Sequence, residues 1–202
     1  MNRFILGDCL NPEYGLPSYP DKYFDLAIVD PPYGLGDKLT QGGTWADKYK
    51  KGDAAWDTKP NNNYFDELFR VSKNQIIWGG NYFNLPPSRC FIIWDKKTHI
   101  DTLADCEMAW ASFDSNAKIA KHVRNTPEKR IHICQKPVAP YRWLLENYAK
   151  PGDLILDTHV GSASSLIACE SMRFNYVGFE IDEHYYNEAK KRMAKGIQLT
   201  IQ

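Results

Sequence analysis

Residues 151–165 read PGDLILDTHVGSASS, an apolar run that ends in Asp157 and continues into a turn of small residues. Apolar spacing predicts a helix over 162–172, and a second apolar run over 175–179 precedes Glu180. Short apolar runs bounded by turn residues are typical of buried strands. The stretch therefore predicts a strand, a turn, a helix and a second strand, which is the repeating unit of an α/β fold.

The same alternation of strand and helix continues over the rest of the chain. Apolar runs predict strands at 24–29, 75–78 and 90–94, in addition to 153–157 and 175–179. Helical spacing predicts helices at 64–72, 139–149 and 183–194. This alternation indicates a mostly parallel central sheet with helices on both faces. No linker or repeat divides the sequence, so we expect a single domain over residues 1–202 with a long mobile loop at about 34–63.

Length and composition limit the class of protein. The 202 residues suffice for one α/β domain, and 43% apolar with 25% charged residues is the profile of a folded chain. The 25 basic residues balance 25 acidic ones, so net charge alone favours no polyanionic partner. Apolar runs fall short of the roughly 20 residues of a membrane span, and the first residues lack a signal-peptide pattern, so we expect a cytoplasmic protein without a membrane partner. Five cysteines without a Cys-x-x-Cys pair suggest neither disulfides nor a zinc site, and we expect no metal.

The turn after Asp157 has the features of a site for an adenosine cofactor. Gly161 would let a ligand approach the backbone, and Glu180, about 20 residues later, could accept hydrogen bonds from two ribose hydroxyls. The alternative is that Gly161 only makes a tight turn and Glu180 lies on the surface. A Gly-x-Gly-x-x-Gly pattern is absent, which disfavours a dinucleotide with its pyrophosphate. An adenosine cofactor without a pyrophosphate fits better, and S-adenosylmethionine is the best candidate.

A second motif, Asp30-Pro31-Pro32-Tyr33, follows the strand predicted at 24–29. Ligands of open α/β sheets bind at the carboxyl ends of strands. Two prolines stiffen the turn and remove its N–H groups, so the Asp30 carboxylate and the Pro31 carbonyl can act as paired acceptors beside the flat ring of Tyr33. An exocyclic amine on a planar ring would satisfy all three groups. From this segment alone, a strand end with Tyr33 packed on the core is an equally good interpretation.

Together, and in this order, the two motifs resemble the amino-methyltransferases that modify DNA bases. A catalytic tetrapeptide that precedes the cofactor loop is typical of their circularly permuted beta class, which has a Rossmann-like methyltransferase fold. Other segments that resemble motifs of the family are 7–10, 76–81, 94–96 and 135–137. The family's cofactor loop usually reads Asp-Pro-Phe-x-Gly-Ser-Gly-Thr-Thr, whereas Thr158, His159 and Ala163 here replace its Pro, its Phe and its second Gly.

The resemblance implies that the methyl group of S-adenosylmethionine is transferred to the exocyclic amine of adenine in DNA, with S-adenosylhomocysteine as the product. Asp at the start of the tetrapeptide is typical of the adenine enzymes. The implied catalytic residues are Asp30, Pro31, Pro32 and Tyr33. The implied cofactor-binding residues are Asp8 near the adenine ring, Lys136 near the methionyl carboxylate, and Cys9, Asp30, Asp157, Thr158, Gly161, Ser162, Ala163, Glu180 and Ile181.

Other functions stay open at this point. The cytosine N4 amine, an RNA base or a protein amide could be the acceptor, because related tetrapeptides serve there too. A catalytically silent relative that only binds nucleic acid would keep the same fold. A nucleotide-dependent oxidoreductase is disfavoured by the missing glycines.

A base inside a duplex cannot reach such a site, so it must be flipped out or supplied in a single strand, with Tyr33 stacking on it. The candidate phosphate-binding residues are Lys48, Lys50, Lys51, Lys118, Lys121, Arg124, Lys129 and Arg130, whose alternative interpretation is a solvated surface. The last five lie within 112–134, where the family carries a target-recognition insert that is minimal here. We therefore expect a very short recognition site, or recognition through another subunit or through the loop at 34–63. A homodimer and a cognate restriction partner, as in restriction-modification systems, are compatible with the resemblance.

Overall fold

The structure of the protein is a computed structural model that describes residues 1–36, 57–97, 104–121, 130–132 and 134–200, the last five of these by their backbone alone. Within these ranges lie eight strands and four α-helices. The strands are β1 (Asn2–Leu6), β2 (Phe24–Val29), β3 (Ser72–Trp78), β4 (Cys90–Asp95), β5 (Cys106–Ala111), β6 (Lys118–Lys121), β7 (Leu154–Asp157) and β8 (Asn175–Glu180). The helices are α1 (Asn62–Val71), α2 (Val138–Tyr148), α3 (Ser164–Ser171) and α4 (Glu183–Thr200).

All eight strands form one sheet in the order β1-β8-β7-β2-β3-β5-β4-β6. Five of its seven neighbouring pairs are parallel, while β5 runs antiparallel to both β3 and β4. The predicted α/β fold with a mostly parallel sheet is therefore confirmed, although the sheet is mixed. Strands β1, β5 and β6 were not predicted from the sequence. Strands β1 and β6 lie at the sheet edges, where partial exposure and polar residues shorten the apolar run, and Glu107 interrupts the apolar run of β5.

Side chains that alternate along the strands build two separate cores, one on each face of the sheet. In β2, Leu26 and Ile28 pack in the core that contains residues of α2, α3 and α4. Ala27 and Val29 pack in the other core, which contains residues of α1. Helices therefore cover both faces, as predicted. Among the described residues, no helix is long and apolar enough to cross a membrane.

Two predicted helix starts are wrong for local reasons. Helix α1 begins at 62 rather than 64, inside the loop predicted at 34–63, because the Asn61 side chain caps it by accepting the Tyr64 N–H at 3.2 Å. Helix α3 begins at Ser164 rather than 162, because Gly161 and Ala163 have left-handed φ values of 52° and 63°. The interval 112–134 contains the edge strand β6.

Candidate active site

Four acidic residues of the prediction meet at one end of the sheet. Asp8 follows β1, Glu180 ends β8, Asp157 ends β7 and Asp30 follows β2. These four strands are neighbours and are all parallel, so their carboxyl ends lie together. The structure thus brings together residues that are as much as 172 positions apart, from 8 to 180, in the sequence.

Glu180 and Gly161 form the centre of the predicted cofactor loop. The Gly161 N–H donates to Oε2 of Glu180 at 2.7 Å, and the Asp182 N–H donates to Oε1 at 2.9 Å. Each carboxylate oxygen therefore has one neutral donor and keeps a lone pair for another. Among the described residues, a methyl group on Gly161 would meet only His132 Cδ2, at 3.9 Å. Apart from the chain neighbours of Gly161, no described atom crowds the backbone of the turn on this side.

Asp157 is buried beneath the same loop. The His159 N–H donates to its Oδ1 at 3.0 Å, and the Ser165 hydroxyl donates to its Oδ2. Burial without a cationic partner among these contacts raises the pKa of Asp157 to about 7. The carboxyl is thus poised to ionise near neutrality, and a cationic group placed against it would favour the charged form.

A polar network replaces the Pro and Phe that the resemblance led us to expect after Asp157. Thr158 Oγ1 lies 2.6 Å from the Tyr64 hydroxyl and 2.9 Å from His159 Nδ1. Tyr64 is a buried residue of α1, so this contact links the loop after β7 to helix α1. Tyr64 was not predicted as a site residue, because its position in an apolar helix stripe carried no sign of a polar role.

The remaining residues assigned to the cofactor lie around this loop. Asp8 Oδ1 accepts the Leu10 N–H at 2.8 Å, and Cys9 is buried, which raises the pKa of its thiol to about 12. The Ser162 hydroxyl lies 3.2 Å from that of Ser164. Ile181 is 64% exposed, directly after β8. Their contacts with a cofactor stay predictions.

Tyr33 is fixed between aromatic and backbone neighbours. Its hydroxyl donates to Oδ1 of Asp30 at 2.7 Å, and its ring stacks on Tyr82 with 4.8 Å between centroids and 17° between planes. Gly79 is required beside it, because a Cβ there would come within 2.3 Å of the Tyr33 ring, and because its φ of 65° is left-handed. The Gly-Gly of segment 76–81 therefore makes room for the tyrosine, and Tyr82, 40% exposed, is an aromatic surface that the sequence analysis missed.

Beside Asp30 lies a row of alternating charges that we call the charge chain: Asp30, Lys136, Glu107 and Lys96. Lys136 Nζ lies 2.5 Å from Oδ2 of Asp30 and 3.1 Å from Oε2 of Glu107, and Lys96 Nζ lies 2.8 Å from Oε1 of Glu107. Burial opposes the charge on Lys136, but Asp30 and Glu107 raise its pKa well above the usual value. Burial likewise opposes the charge on Glu107, but Lys136 and Lys96 lower its pKa to about 2. Lys136 and Glu107, two members of the charge chain, are therefore ionised at neutral pH.

The candidate nucleic-acid residues are only partly within the described ranges. Lys118 and Lys121 are exposed on edge strand β6, and Arg130 is partly buried. Lys118 Nζ lies 5.5 Å from the centre of the Tyr148 ring. Lys48, Lys50, Lys51, Arg124 and Lys129 lie outside the described residues. A role of these residues in binding phosphate stays a prediction.

The sequence of the chain matches a known protein family and several of its members. Residues 77–191, more than half of the chain, match a family model described as DNA methylase. The chain is 26% identical to the YubD protein of Escherichia coli (strain K12), covering 96% of this chain and 91% of that protein. It is 22% identical to the type II methyltransferase M.HinfI of Haemophilus influenzae, covering 96% of this chain and 68% of that enzyme.

Two solved structures have the same fold. The complex of M1.HpyAVI with SAM superposes with a TM-score of 0.58 at 20% identity, covering 96% of this chain and 99% of that one. The cytosine-N4-specific PvuII DNA methyltransferase superposes with a TM-score of 0.64 at 12% identity, covering 98% of this chain and 90% of that one. The methyltransferase fold is thus confirmed, while the circularly permuted motif order stays a prediction.

Proposed function

The chain belongs to the DNA methylase family, and from this premise we propose that it transfers the methyl group of S-adenosylmethionine to the exocyclic N6 amine of adenine in DNA. The observation that carries the proposal is the position of Asp30 and Tyr33 at the end of β2, next to the loop at the end of β7. Asp30 and Tyr33 can hold an amine, and the neighbouring loop after β7 can hold a cofactor. The Asp that begins the tetrapeptide favours adenine. The likeness to a cytosine-N4-specific fold makes the cytosine N4 amine the second candidate.

The residues of the loop fit an S-adenosylmethionine molecule. Glu180 keeps an acceptor on each oxygen for the two ribose hydroxyls, and a Cβ built on Gly161 would meet no described atom closer than His132 Cδ2 at 3.9 Å. Asp157 offers a buried carboxyl whose pKa of about 7 lets it ionise against the cationic amino acid end of the ligand. When bound, S-adenosylmethionine supplies a methyl group on a cationic sulfur and is left as S-adenosylhomocysteine.

The tetrapeptide would activate the amine through its acceptors. The amine lone pair of adenine is delocalised into the ring, which makes the nitrogen a poor nucleophile. Hydrogen bonds from the two N–H groups to Oδ1 of Asp30 and to the Pro31 carbonyl would draw the nitrogen towards a tetrahedral geometry and aim its lone pair at the methyl carbon. Pro32 has no N–H and holds this turn stiff. When the nitrogen took up the methyl group and the C–S bond of the cofactor broke, the nitrogen would lose one proton, and Asp30 Oδ1 would be the acceptor already hydrogen-bonded to it.

The base has to leave its stack to reach these groups. Tyr33 provides a ring surface beside Asp30, and Tyr82 stacks on it in this structure. Stacking of a base on an aromatic ring contributes about 1 to 3 kcal/mol. Methylation of DNA is the activity of an enzyme with access to the genome, so the proposal includes a cytoplasmic location and DNA as the partner. A homodimer and a restriction or recognition subunit stay predictions.

Incubation with S-adenosylmethionine labelled in its methyl group tests the proposal. Single-stranded DNA, double-stranded DNA and RNA are offered in parallel, and the nucleosides of each product are separated by mass spectrometry. We expect label in N6-methyladenine of DNA. Label in N4-methylcytosine would establish the second candidate instead, and label confined to RNA or absent from all three substrates would contradict both.

A further inference from the structure

The charge chain links four separate parts of the fold around two tryptophans. Asp30 follows β2, Lys96 follows β4, Glu107 lies in β5 and Lys136 immediately precedes the N-cap of α2. Lys136 Nζ lies 5.2 Å from the centre of the Trp78 ring, and Lys96 Nζ lies 5.6 Å from that of Trp94. Both lysines are 6% exposed. Apolar residues of similar volume often stabilise a core as well as buried charges do, so stability alone does not account for this arrangement.

Lys136 connects the two halves of the site. Its backbone carbonyl accepts the Ser164 hydroxyl at 2.6 Å, and Ser164 is the first residue of α3, directly after the cofactor loop. Its ammonium group contacts Asp30. The backbone of Lys136 is therefore fixed by the cofactor side, whereas its side chain acts on the tetrapeptide side.

The two oxygens of Asp30 have different partners. Oδ2 accepts from the buried Lys136 ammonium, and Oδ1 accepts from the neutral Tyr33 hydroxyl. A charge-assisted hydrogen bond is about twice as strong as one between neutral groups, and a hydroxyl can rotate away without leaving a buried charge unpaired. An incoming amine is thus expected to replace the Tyr33 hydroxyl at Oδ1, while Oδ2 keeps its cation.

We propose that Lys136, held in place by Glu107, is a positioning residue that fixes Oδ2 of Asp30 so that Oδ1 faces the amine of the extruded base. The inference rests on the proposed function. Asp30, Glu107, Tyr33 and Tyr141 are among the ionisable groups around the Lys136 ammonium, and of these four only Asp30 belongs to the residues that the resemblance implies for the cofactor. The present proposal assigns Asp30 to the amine. This positioning role differs from the contact with the methionyl carboxylate that the family resemblance implies for Lys136. The first role predicts a loss of kcat when Lys136 is replaced, and the second predicts a loss of cofactor affinity.

The test measures the turnover number, the KM for DNA and the affinity for S-adenosylmethionine in Lys136→Met and Glu107→Gln. We expect Lys136→Met to lower kcat at least about a hundredfold, as when one preorganised group is lost. Glu107→Gln keeps the Lys136 ammonium but removes the carboxylate that restrains it, and we expect kcat to fall about tenfold. The dissociation constant of the cofactor by calorimetry should stay within about twofold in both, because neither change removes a group that binds it.

Glu67→Gln is the matched control. This variant also loses a carboxylate that pairs with a cation, since Glu67 lies 2.7 Å from Arg70. The Glu67 side chain is 21% exposed, against 29% for that of Glu107, but Glu67 lies on α1 and is not a member of the charge chain. We expect kcat of this variant to equal that of the wild type. A Lys136→Met enzyme with weakened cofactor binding and a normal kcat at saturating cofactor would overturn the proposal, as would an unchanged kcat in Glu107→Gln.

A second measurement separates this proposal from the proposed function. The unfolding midpoints of Asp30→Asn, Lys136→Met and the double variant report the ion pair without any catalysis. We expect the double variant to lose much less than the sum of the single variants, because each single change leaves a buried charge without its partner. Additive losses in an enzyme that methylates DNA would overturn the positioning role alone, whereas a wild-type enzyme that methylates no nucleic acid would overturn the proposed function and leave only the Asp30–Lys136 ion pair standing.

Discussion

The two halves of the site hold their carboxylates in different ways. At the ends of β7 and β8, Asp157 and Glu180 accept hydrogen bonds from neutral N–H and O–H donors. At the end of β2, Asp30 accepts from an ammonium group that is itself bound to a second carboxylate. Neutral donors leave a carboxylate free to gain a cationic or hydroxylic ligand, while an ammonium partner holds a carboxylate oxygen in place. The difference suits one half to binding a cofactor and the other to orienting an amine.

The largest effect that separates the two halves should come from Asp30→Ala. The change removes the acceptor of the base amine, and the methylation rate should fall at least about a hundredfold to a thousandfold, the usual cost of losing one preorganised hydrogen-bonding group. Cofactor affinity should be nearly unchanged, because the proposal assigns Asp30 to the amine and not to the cofactor contact that the family resemblance also implies for it. Labelled methyl transfer and calorimetry measure the two quantities on the same preparation. A variant that methylates DNA at the wild-type rate would remove Asp30 from the mechanism.

The second test uses pH to examine the neutral-donor half. Burial raises the pKa of Asp157 to about 7, above its ordinary value of 3.8. Between these values the native state keeps a proton that the unfolded state has lost, so the stability of the wild type should decrease as pH rises from about 4 to 7 and then level off. Asp157→Asn cannot ionise and should escape this decrease. Since one pKa unit corresponds to about 1.4 kcal/mol, we expect the variant to gain a few kcal/mol relative to the wild type over this range.

Urea unfolding of both proteins at pH 5, 6, 7 and 8, without cofactor, measures the difference directly. Groups that titrate in both proteins cancel in the comparison. A difference in free energy that is constant with pH would mean that Asp157 is ionised throughout, as Glu107 is in the other half. That result would abolish the distinction between the two halves at this residue.

The third test concerns cofactor affinity. Glu180→Ala removes an acceptor for up to two ribose hydrogen bonds, each contributing about 0.5 to 1.5 kcal/mol, so affinity should weaken by about 1 to 3 kcal/mol. Glu180→Gln keeps one carbonyl acceptor and should lie between the wild type and Ala. Calorimetric titration with S-adenosylmethionine gives both values. Unchanged affinity in the Ala variant would take Glu180 out of the cofactor site, and a kcat loss at saturating cofactor would assign it to the other half.

The sequence predicted the neutral-donor half better than the charged half. Asp157, Glu180 and Asp30 each follow a buried apolar run, and parallel strands bring such positions to one end of a sheet, so their meeting followed from local pattern. Glu107 could not be found in this way. It lies in β5, whose antiparallel insertion between β3 and β4 depends on tertiary pairing, and its partners Lys96 and Lys136 are 11 and 29 residues away. An acid inside the short run Cys106–Ala111 was the one available signal.

The smallest expected effect lies at Ala163, where this loop departs from the glycine of the family pattern. Ala163 is fully buried with φ of 63°, a conformation that costs an alanine about 1 to 2 kcal/mol. Ala163→Gly would relieve that strain, but it loses a buried methyl group, about 0.8 kcal/mol, and gains backbone entropy in the unfolded chain, about 0.5 to 1 kcal/mol. The terms nearly cancel, so the free energy of unfolding should change by less than about 1 kcal/mol.

Ala168→Gly is the matched control, because Ala168 is equally buried but lies within helix α3, where no strain is relieved. It should destabilise the protein by about 1 to 2 kcal/mol more than Ala163→Gly does, and this difference in urea unfolding measures the backbone strain held in the cofactor loop. Equal losses in the two variants would mean that the left-handed turn at 163 is not strained.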